Sequence, residues 1–384
     1  MIHDSPSLSV VIPVRAQSAA FYVERLRLRD SCDLTGTETI LTDDGSPEAE
    51  ADNLRAFSDE RGWRYQRLET GHLPFSLARA RNAGAAFASS PWVFFDDADM
   101  VYETAFFSRL HKELGLLDGT PFTFLSLPAV YLSQESSKKV LARGSIDELV
   151  PDFLTRLALE DPRGGNDNIA IQNYAPASAI LVMKKETALA NGGYDEGFEG
   201  WGGEDREFIF RLLAANDKLP KPNDFTATRV WNLNDTYEFA GWRSLFRLHG
   251  DYMARKGFYA YHLFHEPNAW RTSGDRGNIE EAARRALSHS ADSWGPAEED
   301  ASHRNIRNSL LFSVYKDVAS AKDRHSSPQR RSKGAVIAAR IRKLAHDPHA
   351  FFRDSKLPLS NRISRLFRER TNEVGKANFT RMDE

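Results

Sequence analysis

The chain has 384 residues, of which 41% are hydrophobic, and a formal net charge of −3. This composition is typical of a globular protein with a sizeable core, and it gives no electrostatic reason to expect nucleic-acid binding. Cys32 is the single cysteine, which excludes an internal disulfide and a zinc site built from cysteines. The N-terminal residues lack the order of a signal peptide, and no apolar run has the ~20 residues of a membrane span. We therefore expect a cytoplasmic protein.

The N-terminal part of the chain alternates between short apolar segments and longer polar segments. The apolar segments predict strands at Leu8–Val14, Thr37–Thr42, Trp63–Leu68 and Pro91–Phe95. The polar segments predict helices at Ser18–Arg29 and Ser76–Ser89, and a further helix that Ser46 caps, with Pro47 at its first position. This alternation is typical of a mostly parallel sheet with helices on both faces. Further along, apolar runs predict strands at Phe122–Tyr131 and Ala179–Met183.

Two acidic clusters follow the second and the fourth of these predicted strands. Asp43 and Asp44 end one strand, and Asp97 and Asp99 come directly after another. Ligands of parallel sheets bind outside the carboxyl ends of the strands, where both clusters lie. Hard divalent cations bind through one or two such carboxylates together with substrate phosphates. The pattern predicts a metal site for a phosphate-bearing substrate. The alternative is an acidic turn that leads into a helix near Glu103.

A glycine-rich segment precedes a second pair of acids. Six of the thirteen residues from Asn191 to Gly203 are glycine, and aromatic residues lie between them. Such a backbone can bend closely around a ligand. Glu204 and Asp205 open the helix that follows, a position where acids commonly stabilise the helix dipole. That structural use explains the two acids but not the glycines before them.

Two histidines lie late in the chain, three residues apart, at His262 and His265. A single histidine is more often structural than a metal ligand. A pair that follows an Asp-x-Asp site favours one of the two as a third protein ligand, and the spacing leaves open which one.

The C-terminal tail is strongly basic. Residues 322–370 contain 14 Lys or Arg residues against 4 Asp or Glu residues, and Val336, Ile337, Ile341 and Leu344 recur at helical spacing. A basic amphipathic helix indicates contact with an anionic membrane surface or with a partner protein. The alternative is a solvated helix packed on the main body.

Four motifs in this order resemble those of the GT-A-fold glycosyltransferases of family 2. They are Val10–Pro13, Asp43–Ser46, Ala80–Gly84 and Phe95–Met100. Gly192 to Phe208 resembles the C-terminal motif of galactosyltransferases and polypeptide N-acetylgalactosaminyltransferases, which bacterial chondroitin polymerases share. Arg342 to Lys356 resembles a segment of capsular polysaccharide synthesis proteins.

The resemblance implies an α/β, Rossmann-like GT-A fold with a helical C-terminal extension. The nucleotide-sugar-binding half would be residues 1–115, the acceptor-binding and catalytic half 116–270, and the helical region with the basic tail 271–384.

The resemblance also implies roles for individual residues. Asp97 and Asp99 would hold Mn²⁺ or Mg²⁺, with His265 or His262 completing the shell. Asp205 would act as the base and Glu204 would bind a sugar hydroxyl. The nucleotide-sugar site would be formed by Pro13, Val14, Arg15, Asp43, Asp44, Arg81, Asn82, Asp97, Ala98, Trp201, Gly202 and Gly203. Arg15 and Arg206 depart from the residues that this family usually has at their positions.

We therefore expect an inverting enzyme that transfers a hexose or N-acetylhexosamine from a UDP-sugar to a glycan or glycolipid acceptor. The expected setting is bacterial capsule or surface polysaccharide synthesis, with peripheral contact at the inner face of the cell membrane or in an assembly complex through residues 322–370. The alternatives are a GDP-sugar-using transferase and a non-catalytic scaffold. A nucleotidyltransferase would need a glycine-rich phosphate loop after the first strand, and Val14–Ser18 contains no glycine.

Overall fold

The computed structural model describes residues 7–159, 170–200, 202–222, 225–226, 241–266, 278 and 281–282. Trp201, the basic tail at 322–370 and nearly all of the region 271–384 lie outside the described residues, and so do the predictions made for them. Within the described ranges, no helix is long and apolar enough to cross a lipid bilayer.

The described strands and helices alternate along the first half of the chain. The strands are β1 (Leu8–Val14), β2 (Thr37–Asp43), β3 (Arg64–Arg67), β4 (Trp92–Phe95), β5 (Met100–Val101), β6 (Phe124–Ser126), β7 (Ala129–Leu132), β8 (Ile171–Ala175), β9 (Leu181–Lys184) and β10 (Ala260–His262). The helices are α1 (Ala19–Leu26), α2 (Glu48–Glu60), α3 (Leu77–Phe87), α4 (Phe106–Leu117), α5 (Gln134–Arg143), α6 (Val150–Leu159), α7 (Lys185–Ala190), α8 (Glu204–Ala215) and α9 (Gly241–Arg255). Short 3-10 helices span Arg27–Ser31 and Asp147–Leu149.

A mostly parallel sheet forms the core of the described part of the chain. Its strand order is β3-β2-β1-β4-β9-β6. β1 runs parallel to β2 and β4, β2 runs parallel to β3, and β9 is antiparallel to both of its neighbours. Every residue of β1 is buried, as expected of a parallel strand whose two faces are covered by helices. The predicted α/β fold class, with a mostly parallel sheet flanked by helices, is confirmed.

The helix α3 lies unusually close to the central strands. A Cβ on Gly84 would lie 2.3 Å from Val11 Cγ1 and 2.6 Å from Thr42 Oγ1. Only glycine allows this approach, because real Cβ contacts are longer. The tight packing fixes α3 against β1 and β2. Arg81 and Asn82, which precede Gly84 on α3, reach the site from this position.

A smaller sheet has the order β5-β10-β7-β8. Its first strand, β5, directly follows Asp97 and Asp99 in the chain. β10 pairs antiparallel with β5, which sets His262 opposite Met100, and it pairs parallel with β7. The single strand predicted over Phe122–Tyr131 is wrong, since the run divides into β6 in the large sheet and β7 in the small one. Pro128 lies between them, and its carbonyl accepts a hydrogen bond from Ala260 N.

The predicted cap at Ser46 is also wrong. The helix α2 begins at Glu48 with Pro47 at the cap position. Ser46 Oγ instead donates to Asp43 Oδ1 at 2.6 Å and accepts from Ala16 N at 2.8 Å. The hydroxyl thus ties together the chain segments that leave β1 and β2, and it is not available to the helix.

Candidate functional site

Asp99, His262 and His265 meet where β5 pairs with β10. Nε2 of His262 lies 3.2 Å from Asp99 Oδ2, and Nε2 of His265 lies 3.0 Å from the same oxygen. The ligand atoms of all three residues lie within 4.8 Å of one another. Leu263 N donates to Asp99 O at 2.9 Å, so the strand pairing itself brings together residues that are far apart in sequence.

The chemistry of this cluster fits a divalent cation. Asp99 Oδ1 is buried and has no hydrogen-bond partner among the described residues. Burial alone would raise the pKa of Asp99, but His262 and His265 hold it well below its usual value. The hydrogen bond to Asp99 raises the pKa of His265 in turn. A carboxylate with one uncommitted oxygen beside two imidazoles is a mixed oxygen and nitrogen donor set, which suits Mn²⁺ better than Mg²⁺.

Arg81, on α3, connects the acidic segment to the glycine-rich one. Its guanidinium donates to Asp97 Oδ1 at 2.9 Å and to Glu204 Oε1 at 3.2 Å. The residue is 1% exposed, and a buried cation is tolerated because it is paired with two carboxylates. The structure therefore brings the two predicted tracts to one place. The Arg81 side chain is committed to carboxylates here, and its predicted position near the nucleotide stays a prediction.

The two acids that open α8 differ in their surroundings. Gly203, with a φ of 98°, is the cap residue of this helix. Glu204 is buried, and burial together with the neighbouring Asp205 raises the pKa of Glu204 to about 7, although Arg81 opposes the change. Asp205 is partly exposed, and its Oδ1 accepts a hydrogen bond from Arg206 N at 2.8 Å. One carboxyl group thus faces the interior and the other is accessible from solvent.

Asn82 holds the start of the glycine-rich segment. Its Nδ2 donates to Tyr194 O and its Oδ1 accepts from Tyr194 N, both at 2.8 Å. Gly193 has a φ of 65°, and a Cβ there would lie 2.5 Å from Asn82 Oδ1. A side chain at position 193 would therefore displace the amide that fixes the loop. The structure gives Asn82 this bracing contact, and its role toward the donor stays a prediction.

The first acidic cluster supports the loops at the sheet edge. Asp44 accepts hydrogen bonds from Thr70 Oγ1, from Ser76 N and from two nitrogens of Arg79, all at 2.8 to 2.9 Å. Asp43 accepts from the backbone and hydroxyl of Ser46 and from the hydroxyl of Tyr65. Both acids are fully buried. Their predicted contact with the donor stays a prediction.

The remaining residues predicted for the donor site lie at the ends of β1 and β4 and before α8. Arg15 donates to Gly71 O at 2.8 Å and to Leu73 O at 2.7 Å. It therefore holds the loop that also contains Thr70, one of the partners of Asp44. Pro13 and Val14 are buried residues of β1, and Ala98 is a buried residue between Asp97 and Asp99. Gly202 has a φ of 82° and directly precedes Gly203, the cap residue of α8.

Three residues beside the acidic turn were missed by the sequence analysis: Arg29, Asp96 and Tyr102. Arg29 forms an ion pair with Asp96 at 2.6 Å, and the Tyr102 hydroxyl donates to Asp96 Oδ1 at 2.6 Å. One signal was present, because an Asp that directly follows a buried strand needs a buried cation as a partner. Nothing in the sequence pattern points to Arg29 as that partner.

Comparison with known proteins assigns a family to this arrangement. Residues 9–278 match the family model described as glycosyltransferase like family 2. Validoxylamine A glucosyltransferase of Streptomyces hygroscopicus subsp. jinggangensis (strain 5008) is 26% identical over 223 residues, which are 54% of this chain and 52% of that protein. Chondroitin synthase of Escherichia coli is 25% identical over 223 residues, which are 53% of this chain and 32% of that protein.

The chain thus spans about half the length of the first relative and about a third of the second. Among solved structures, S. aureus TarS 1-349 in complex with UDP-GlcNAc superposes with a TM-score of 0.42 and 13% sequence identity. The superposition covers 87% of this chain and 79% of that one.

Proposed function

Because the chain belongs to glycosyltransferase-like family 2, we propose that it is an inverting, metal-dependent glycosyltransferase. It would move a hexose or N-acetylhexosamine from a UDP-sugar to a hydroxyl of a glycan or glycolipid acceptor. The main support is an ion-pair network in which Arg81 pairs with both Asp97 and Glu204. Asp97 lies beside the cluster of Asp99, His262 and His265. Relatives named as a glucosyltransferase and as chondroitin synthase support sugar transfer.

The donor would bind on the side of the acidic turn. Asp97, Asp99, His262 and His265 would hold Mn²⁺ or Mg²⁺, which when bound neutralises charge that develops on the departing diphosphate. Residues 1–115 would form this half of the site, and His262 and His265 would reach it from the region 116–270. The loops that Asp43, Asp44 and Arg15 hold would then form the wall around the base and ribose.

The acceptor would bind on the side of α8, with residues 116–270 forming this half. Asp205 would take the proton from the acceptor hydroxyl as its oxygen bonds to the anomeric carbon and the bond from that carbon to UDP breaks. Attack opposite the leaving group inverts the anomeric carbon and needs one base, unlike the paired carboxylates of glycosidases. Glu204 would hold a sugar hydroxyl. The partly exposed Asp205 can reach an acceptor more readily than the buried Glu204 can.

The test is a panel of UDP- and GDP-sugars, with Mn²⁺ and then with Mg²⁺, scored by release of the nucleotide diphosphate and by transfer to candidate glycans. Release of UDP from one UDP-sugar, with an inverted linkage in the product by NMR, is the expected result. Release of GDP alone would favour the GDP-sugar alternative. Nucleotide binding with no turnover of any donor would favour a non-catalytic scaffold.

The biological setting is part of the same proposal. The relative named chondroitin synthase and the likeness of residues 342–356 to capsular synthesis proteins support a role in bacterial capsule or surface polysaccharide synthesis. The basic segment 322–370 would then bring the enzyme to an anionic membrane surface or to an assembly partner.

A further inference from the structure

A buried arginine lies directly beneath the turn that carries Asp97 and Asp99. Arg29 belongs to the 3-10 helix Arg27–Ser31 and is 3% exposed. Its guanidinium carbon lies 4.8 Å from the centre of the Tyr102 ring. Burial of a guanidinium destabilises the folded protein unless nearby groups stabilise its charge. The groups that contact Arg29 therefore indicate its role.

The contacts of Arg29 converge on the backbone of the acidic turn. A single nitrogen, Nη2, donates to Asp97 O at 3.3 Å and to Met100 O at 3.2 Å, and it lies 2.6 Å from Asp96 Oδ2. These two carbonyls bracket Asp99. The guanidinium therefore holds both ends of the short segment that presents the Asp99 carboxylate.

Asp96 fixes the same turn from its other oxygen. Asp96 Oδ1 accepts from the Tyr102 hydroxyl at 2.6 Å and from Asp97 N at 2.8 Å. Arg29, Asp96 and Tyr102 thus form a buried frame around the segment 96–102. Within the described part of the chain, Arg29 forms no hydrogen bond or ion pair with the side chain of Asp97 or Asp99, so any effect on those carboxylates passes through the backbone.

We propose that Arg29 is a positioning residue for the metal site, because it fixes the backbone of Asp97 and Met100 and with it the direction of the Asp97 and Asp99 carboxylates. This inference rests on the proposed function, in which those carboxylates bind the cation. Groups that orient metal ligands from outside the coordination shell typically change metal affinity by about 10- to 100-fold when they are altered.

An alternative is that Arg29 serves only to neutralise Asp96. Two variants separate the two roles. Arg29→Lys keeps a positive charge for Asp96 but replaces the planar guanidinium with a shorter, compact ammonium group that cannot hold both carbonyls. The double variant Arg29→Met with Asp96→Asn removes the ion pair as a unit, so that no buried charge is left unpaired.

Arg61, the cap residue at the end of α2, offers a matched control because it faces Asp30, the residue next to Arg29 on the 3-10 helix. Its guanidinium pairs with Asp30 at 2.8 Å, and its other ion pair is with Glu60 at 3.0 Å. Arg61→Lys therefore makes the same chemical change beside Arg29 without touching a residue of the acidic turn.

The experiment measures the Kd of Mn²⁺ by calorimetry at saturating UDP, with the Tm of the metal-free protein recorded for each variant. Arg29→Lys and the double variant should each weaken Mn²⁺ binding by about tenfold or more, while Arg61→Lys leaves the Kd unchanged. The double variant should keep a Tm close to that of the wild-type protein, so that a loss of affinity cannot be ascribed to unfolding.

The outcomes separate this inference from the proposed function. If the wild-type protein bound no Mn²⁺ with UDP present, the proposed metal site would be wrong and the inference with it. If the wild-type protein bound Mn²⁺ and the double variant bound it equally well, Arg29 would only neutralise Asp96. In that case the positioning role would be overturned while the metal site stood.

Discussion

Two acidic clusters lie at the ends of β2 and β4, the parallel strands on either side of β1, yet their carboxylates are used differently. Asp44 accepts four hydrogen bonds from protein groups, which fills the roughly four lone-pair positions of a carboxylate. Asp99 directs one oxygen at His262 and His265 and leaves the other buried without a partner among the described residues. The comparison teaches that an acidic motif at a strand end indicates a ligand site only where an oxygen is left uncommitted.

The largest effect should follow from altering the uncommitted carboxylate. Asp99→Asn keeps the size of the side chain but removes the charge that both imidazoles and a cation would face. We expect Mn²⁺-dependent binding of UDP to fall below detection in calorimetry and transfer activity to be abolished. Nucleotide binding that stays equally dependent on Mn²⁺ in this variant would remove Asp99 from the metal site.

The second prediction concerns the proposed base. Asp205→Asn should lower the rate of transfer by roughly 10²- to 10⁴-fold, the usual contribution of general base catalysis, while the Kd values of UDP and Mn²⁺ change little. The neighbouring variant Glu204→Gln is the matched comparison, and it should raise the acceptor KM more than it lowers kcat. Turnover by Asp205→Asn close to that of the wild-type enzyme would require another base.

The third prediction tests the committed carboxylate. Asp44→Asn should leave Arg79 without its buried anion and cost about 3 kcal/mol of stability, measured as a lower free energy of unfolding in denaturant. The Kd of Mn²⁺ in the absence of nucleotide should not change. If Asp44→Asn lost Mn²⁺ binding and kept its stability, Asp44 would be part of the metal site. The proposed difference between a structural Asp44 and a metal-binding Asp99 would then be wrong.

Local signals in the sequence predicted the parts of the fold that depend on local pattern. The strands β1 to β4 lie within a residue or two of their predicted positions, because apolar runs between turns define them. The predicted family is confirmed, because residues 9–278 match the model of glycosyltransferase-like family 2. The structure brings both His262 and His265 to Asp99, where the sequence favoured one of the two as a ligand, and their binding of a metal stays a prediction.

The features that the sequence did not predict depend on contacts between distant residues. The run from Phe122 to Tyr131 looks like one strand, but the chain crosses between sheets at Pro128, and only the pairing partners decide this. The three residues that donate to Asp44 include Arg79, which is 35 residues away along the chain. Arg29 reaches the acidic turn from a 3-10 helix that no motif marks. Periodicity contains no information about such partners.

The smallest effect concerns a histidine that contrasts with the pair at the site. His249 lies buried and stacked on Phe124 with ring centres 4.1 Å apart, and its Nδ1 is bonded to Leu245 O. Burial lowers the pKa of His249 to about 4, whereas the carboxylate beside His265 raises the pKa of that ring. A lowered folded-state pKa means that the unfolded chain binds the proton more tightly, so the folded state loses stability as the pH falls from about 6.5 toward 4.

The expected loss for His249 is about 2 kcal/mol between pH 7 and pH 5, measured by denaturant unfolding of the metal-free protein. His265 acts with the opposite sign, because stability from a raised pKa is present at low pH and is lost as the pH rises through that value. His249→Leu should remove the acid sensitivity, and His265→Gln should increase the net loss on acidification. If His249→Leu kept the full pH dependence, the acid-sensitive group would lie elsewhere in the protein. The contrast between the buried His249 and the site histidine His265 would then fail, whereas the contrast between Asp44 and Asp99 would not be affected.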